Sequence, residues 1–214
     1  EYAELAQLMV VCPATHNSLC VDTAYGARYF TYLTEELPLL VNTFFAASGR
    51  RKDTFVGGQG AGASGALTLA IRRPDLYACC VSMTPGMGDS LSLDLIKQRM
   101  AEGALDGQYA AIFGDPQRLE GSQYDLMHFA AEKAQSGEPL SRFFISVATG
   151  DRANSHVKVE RDRLVALGYD VTFDEPEGAG HEYAYCDRQV KKAILEWLPL
   201  RRSPIYPSEG ESRG

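Results

Sequence analysis

The feature that most restricts the fold is the stretch from residue 54 to 73, TFVGGQGAGASGALTLAIRR. A short apolar run, Thr54–Gly58, passes through a turn of small residues into an apolar helical stretch that stops before Pro74. A strand that turns so sharply into a helix belongs to a parallel sheet covered by helices. Four more apolar runs extend the pattern: Leu8–Cys12, Ala78–Met83, Phe143–Ala148 and Asp170–Asp174. Runs without alternation suit strands buried on both faces. Helical spacing fills the intervals. RYFTYLTEELPLLVNTFFA repeats apolar residues at helical intervals; SLDLIKQRMAEG, YDLMHFAAEKAQSG and HVKVERDRLVALG each end in glycine, a common helix stop; RQVKKAILEWLPL closes the series. The expected fold is α/β, a mostly parallel sheet with helices on both faces.

Size and charge narrow the function. A chain of 214 residues, 45% hydrophobic, builds one core. That domain is expected over residues 1–200. The last stretch, 201–214, RRSPIYPSEGESRG, is rich in Pro, Ser, Gly and charge and is expected to be disordered. A net charge of −7 with no Lys/Arg block argues against nucleic acid and anionic membranes. No apolar run approaches the roughly 20 residues of a membrane helix. The five cysteines, Cys12, Cys20, Cys79, Cys80 and Cys186, are odd in number and irregular in spacing. They read as reduced core residues, which favours a cytoplasmic setting. No metal-ligand spacing occurs, and no cofactor is expected. The chain opens on EYAELAQLMVVCP, the tail of a helix leading into a strand, so residues are expected upstream of Glu1. The stretch 104–123, ALDGQYAAIFGDPQRLEGSQ, reads as loop lying over the carboxyl edge of the sheet.

Three readings fit the glycine turn. Gly60-Ala61-Gly62-Ala63-Ser64-Gly65 matches the dinucleotide pattern G-x-G-x-x-G. That pattern also wants a carboxylate closing the next strand, and Ala78–Met83 is followed by Thr84 and Pro85. In a second register, Gly58-Gln59-Gly60-Ala61-Gly62 is a nucleophile elbow, G-x-S-x-G, with glycine in place of serine. In a third, the small residues Gly57, Gly62 and Gly65 let the helix pack closely on the sheet. Later positions favour the elbow. Asp151 follows the run Phe143–Ala148, and His181 follows Asp170–Asp174 in a glycine-flanked loop. The order nucleophile, acid, histidine is that of hydrolases on this kind of sheet. Taken singly, Asp151 also suits a turn or helix cap and His181 an exposed loop. His16, His128 and His156 lack such placement.

The segments VVCPATHNSLCVDTAYGARYFTYLTEELP, DTFVGGQGAGASGALTLAIRRPDLYA, IFGDPQRLEGSQYDL, ATGD and LGYDVTFDEPEGAGHEYAYCD together resemble the esterase D-like α/β-hydrolases, with tributyrin esterases the nearest branch. The resemblance implies an α/β-hydrolase fold without its first strands. It implies a small-molecule ester as substrate, with short-acyl, acetyl or feruloyl groups, and it leaves homo-oligomers open. It aligns the nucleophile with Gly60, an oxyanion-hole amide with Ala61, and the acid and base with Asp151 and His181. Ser64 lies roughly 6 Å further along the helix axis and does not replace the missing serine. The family also has a strand between those expected at Leu8–Cys12 and Thr54–Gly58. Tyr25 and Tyr183, with Tyr29, Phe30 and Tyr185, are candidates for an acyl or aryl pocket, or for plain core. Two functions follow: an esterase-family hydrolase written without its nucleophile, or a non-catalytic binding protein that keeps the pocket.

Overall fold

Four strands form one parallel sheet in sequence order: β1 (Phe55–Gln59), β2 (Cys79–Met83), β3 (Arg142–Ser146) and β4 (Val171–Asp174). The computed structural model describes residues 1–85, 92–104, 107–178 and 180–200; the tail expected at 201–214 lies outside the described residues. Helices α1 (Tyr2–Leu5), α2 (Tyr29–Thr31) and α3 (Leu37–Phe44) precede the sheet, with a π-helical turn at Tyr32–Glu36 joining α2 to α3. After β1 come α4 (Ala61–Arg72), then α5 (Leu93–Ala101), α6 (Gln108–Phe113) and α7 (Leu126–Gln135) between β2 and β3. Helix α8 (Asn154–Ala166) lies between β3 and β4, and α9 (Tyr183–Lys192) closes the chain through a further π-helical turn at Ala193–Trp197.

The apolar runs of β2 and β3 are continuous because both faces are covered. On one face Cys80, Phe143 and Ile145 pack with Ala66, Leu67, Ala70 and Ile71 of α4 and Val157 and Leu164 of α8. On the other, Cys79, Val81, Met83 and Phe144 pack against Ala193 and Leu198. All five cysteines are free, and burial pushes the thiols of Cys79 and Cys80 up, so they act as small apolar side chains.

Two expectations need correction. Leu8–Cys12 is not a strand: residues 8–15 have no regular structure, and Met9, Val10 and Val11 are exposed. A strand exists only where a neighbour takes its backbone hydrogen bonds. Among the described residues nothing pairs with the outer edge of β1, so this apolar run has no ladder to join. The stretch 104–123 is also more ordered than expected. It contains α6 and a 3-10 turn at Pro116–Arg118, and Tyr109, Ile112, Phe113 and Leu119 form a second core with Val21, Ile96 and Tyr124. Short helices with buried anchors escape a reading that scores glycine and proline as loop.

Candidate active site

Parallel strands bring their carboxyl ends to one edge, and the register is tight here. Gln59 stands opposite Met83, Met83 opposite Ser146, and Ser146 opposite Asp174. Gly60, Thr84, Asp151 and His181 all follow these strand ends.

Gly60 is the residue on which β1 turns into α4. Its backbone stands at φ 57° and ψ −122°, and its amide donates to Met83 O at 3.0 Å. Such an angle pair is essentially a glycine conformation and is strained for any other residue. A Cβ built there meets no atom within 4 Å, so the position has room for a side chain. Its neighbours are different. A Cβ on Gly58 would lie 2.3 Å from the backbone of Gly62, and one on Gly65 would lie 2.4 Å from Cys20 Sγ. The close approach of helix to sheet falls at Gly58 and not at the three glycines expected: Gly65 clears Cys20 in the loop before α2, Gly57 faces Val81 of the neighbouring strand at 3.3 Å, and Gly62 faces open space. Ala61 opens α4, and the first amides of a helix have no acceptor within it. Ser64 is buried beneath the turn with its hydroxyl unpartnered among the described residues.

The acid and histidine loops are zipped together by backbone hydrogen bonds. Val147 N donates to Asp174 O (3.1 Å), Thr149 N to Pro176 O (3.0 Å) and Gly150 N to Gly178 O (2.8 Å). This brings His181 Nδ1 to 3.0 Å from Asp151 Oδ2, the histidine side chain 64% exposed and the aspartate side chain 2% exposed. Asp151 Oδ1 accepts from Ala153 N at 2.8 Å; Oδ2 has the proximity of an ion pair with His181 but no hydrogen bond of good geometry. Gly180, at φ 88°, is the hinge of the approach, because a Cβ there would sit 3.0 Å from Asp151 Oδ2 and 2.9 Å from Ala148 Cβ. Its amide donates to Glu182 Oε2 at 3.1 Å.

Of the aromatic candidates, Tyr25 (79% exposed) and Tyr183 (95% exposed) project into solvent. Phe30 and Tyr185 are core; Tyr185 OH meets Ser146 Oγ at 2.5 Å, and burial pushes its pKa up to about 12. Tyr29 stacks against His16 at 5.9 Å between ring centroids. A small pocket of about 130 Å³ beside the acid loop is lined by Leu95, Arg99, Arg152, Ala153 and His156. Sequence reasoning passed over Thr84 and Arg152. The signal for both was adjacency: one follows a strand end directly, the other follows Asp151. No carboxylate closes β2, where a bound dinucleotide ribose would need one. Among the described residues no cluster has the make-up of a metal site, and no helix is long and apolar enough to cross a membrane.

A helix-covered parallel sheet, a strand-to-helix turn at positive φ, and a histidine loop folded onto an acid loop make this chain an α/β-hydrolase. The family described as "Putative esterase", whose enzymes are carboxylic-ester hydrolases, matches residues 12–173, and the chain belongs to it. An acetyl esterase of Caldicellulosiruptor saccharolyticus is 23% identical over 193 residues, 88% of this chain and 71% of that protein. Among solved structures, the fluorophosphonate-binding serine hydrolase F of Staphylococcus aureus superposes with a TM-score of 0.79 at 23% identity, covering 92% of this chain and 74% of that one. The S-formylglutathione hydrolase of the same organism gives 0.77 at 23%, with the same coverage.

Proposed function

We propose that this chain is an esterase scaffold in which Gly60 occupies the nucleophile's position, Asp151 orients His181 as the base, and the Ala61 amide serves as an oxyanion donor. The observation that carries the reading is the positive-φ backbone of Gly60 at the elbow, at the same sheet edge as the Asp151–His181 pair. With serine at this position, its oxygen would attack the ester carbonyl while His181 Nε2 took the proton. Nδ1–H would point at Asp151, and the amide of Ala61 would hold the developing oxyanion. The imidazole would then return the proton to the leaving alkoxide, and water would release the acid.

Glycine has no oxygen to attack with. The chain as written forms no acyl intermediate, and losing a triad nucleophile costs about 10⁶-fold in turnover. Any remaining hydrolysis runs by water activated at His181. The substrates are small carboxylic esters, short-acyl, acetyl or feruloyl. The oligomeric state and a cytoplasmic location are open to direct measurement by sedimentation and fractionation.

The test is p-nitrophenyl acetate hydrolysis by the Gly60→Ser variant. We expect turnover at least about 10³-fold above the unaltered chain, abolished again by His181→Ala in the same background. Absence of turnover in a folded Gly60→Ser protein that still binds ester would instead assign a non-catalytic binding role.

A further inference from the structure

The acid and histidine loops are joined by more than their backbone zipper. Asp151 ends a tight turn: its amide donates to Ala148 O at 3.1 Å, and its carbonyl accepts the amide of Asn154 at 3.0 Å. Asn154 is the first residue of α8, and its side chain folds back over that turn. Nδ2 donates to Ala148 O at 3.0 Å and to Glu175 Oε1 at 2.8 Å. Both neighbours are acceptors, so only the amino end of the carboxamide fits between them. Ala148 opens the turn that carries the acid, and Glu175 directly follows β4 and opens the loop that carries His181. One nitrogen with two protons therefore bridges both loops.

Glu175 is gripped a second time. Lys158, one turn further along α8, pairs with the same Oε1. Lys158 first and Asn154 second hold the Glu175 carboxyl below its ordinary value. Helix capping does not account for Asn154, because it lies past the N-cap residue, Ala153, and no side chain caps α8.

We propose that Asn154 is a positioning residue that fixes the distance between Asp151 and His181, its carboxamide locking the acid turn to Glu175 at the root of the histidine loop. The His181 side chain is 64% exposed, so its place facing Asp151 is set by the loop that carries it. Asn154 touches neither substrate nor reacting atoms and acts through the two loops. The inference rests on the assignment of Asp151 and His181 made above, and its first test is independent of catalysis.

In the unaltered Gly60 chain, ring nitrogen shifts of neutral His181 report which nitrogen carries the proton. A ring held against Asp151 carries it on Nδ1, and a released ring is free to carry it on Nε2. We expect the Nδ1–H form to dominate. Asn154→Asp keeps the side-chain shape, removes the donor and sets a carboxylate against Glu175. A carboxylate in the first turn of α8 favours the helix, so the fold survives the change. We expect the Nδ1–H population to fall at least about twofold. Adding Glu175→Gln supplies the donor from the other side and should restore most of it. Retention of the Nδ1–H form in Asn154→Asp, or its loss without recovery in the double variant, would overturn the proposal. An unaltered chain that already carries Nε2–H would instead remove the Asp151–His181 assignment, and the proposal with it. In the Gly60→Ser background we expect Asn154→Asp to lower kcat about tenfold with KM within about twofold, and the double variant to recover most of the rate. An unchanged kcat in Asn154→Asp would likewise overturn it.

Discussion

At Gly60 the backbone angles exclude comfort for any residue but glycine, while the space around the Cβ position is open. Serine there therefore fits sterically and is penalised through the backbone alone. We expect Gly60→Ser to lower unfolding stability by about 1–3 kcal/mol in urea titration, with the sheet and the Asp151–His181 pair unchanged. Glu160, on α8, is a second residue with a readable energetic cost. It is buried, and burial pushes its carboxyl above the ordinary value of 4.5, opposed by Arg163 at 3.2 Å. A raised carboxyl pKa means that the folded protein binds this proton more tightly than the unfolded chain. The stabilisation is complete below pH 4.5 and is lost as pH rises through the raised value. Glu160→Gln never ionises. It should raise the urea midpoint at pH 7, and the gain should shrink towards zero as the titration is repeated below about pH 4.5.

Elements meet at the site through a few buried polar contacts. Helix α9 is tied to the end of β3 by Tyr185 and Ser146, both buried. Because burial holds the phenol neutral to about pH 12, this tie is insensitive to pH across the working range. Tyr185→Phe leaves Ser146 Oγ buried without its partner, and we expect a loss of about 1–3 kcal/mol in unfolding free energy, measured by urea titration at neutral pH. Three of the four strands could be read to within a residue or two because their apolar runs are bounded by turns; β1 was legible through the glycines that follow it. Leu8–Cys12 looked the same by composition. What separates it from β2 is a partner, which composition does not encode. The meeting of Asp151 and His181 was legible from their order and from the strand ends before them. The bridge from Asn154 to Glu175 was not, since an asparagine at a helix start carries no pattern until the neighbouring loop is in place.

Over the whole molecule the apolar surface is unevenly covered. Helix α3 has the sequence LPLLVNTF and buries none of its residues; Leu39, Leu40, Phe44 and Phe45 are exposed, as are Met9, Val10 and Val11. Exposed apolar side chains in such number are a liability in water. The double variant Leu40→Glu/Phe44→Asp should bind less of an apolar dye such as ANS and stay monodisperse at higher concentration in light scattering, with its unfolding midpoint little changed. The alternation of apolar runs with helical spacing dictated an α/β chain, because a strand buried on both faces and a one-sided helix have different periods in any context. The glycine turn and the order of Asp151 and His181 dictated the hydrolase plan. Which apolar run gains a neighbour, which glycine faces backbone and which faces open space, and which buried oxygens stand beside one another were decided by tertiary structure alone. Those outcomes depend on distances between residues far apart in sequence, and no local pattern records them.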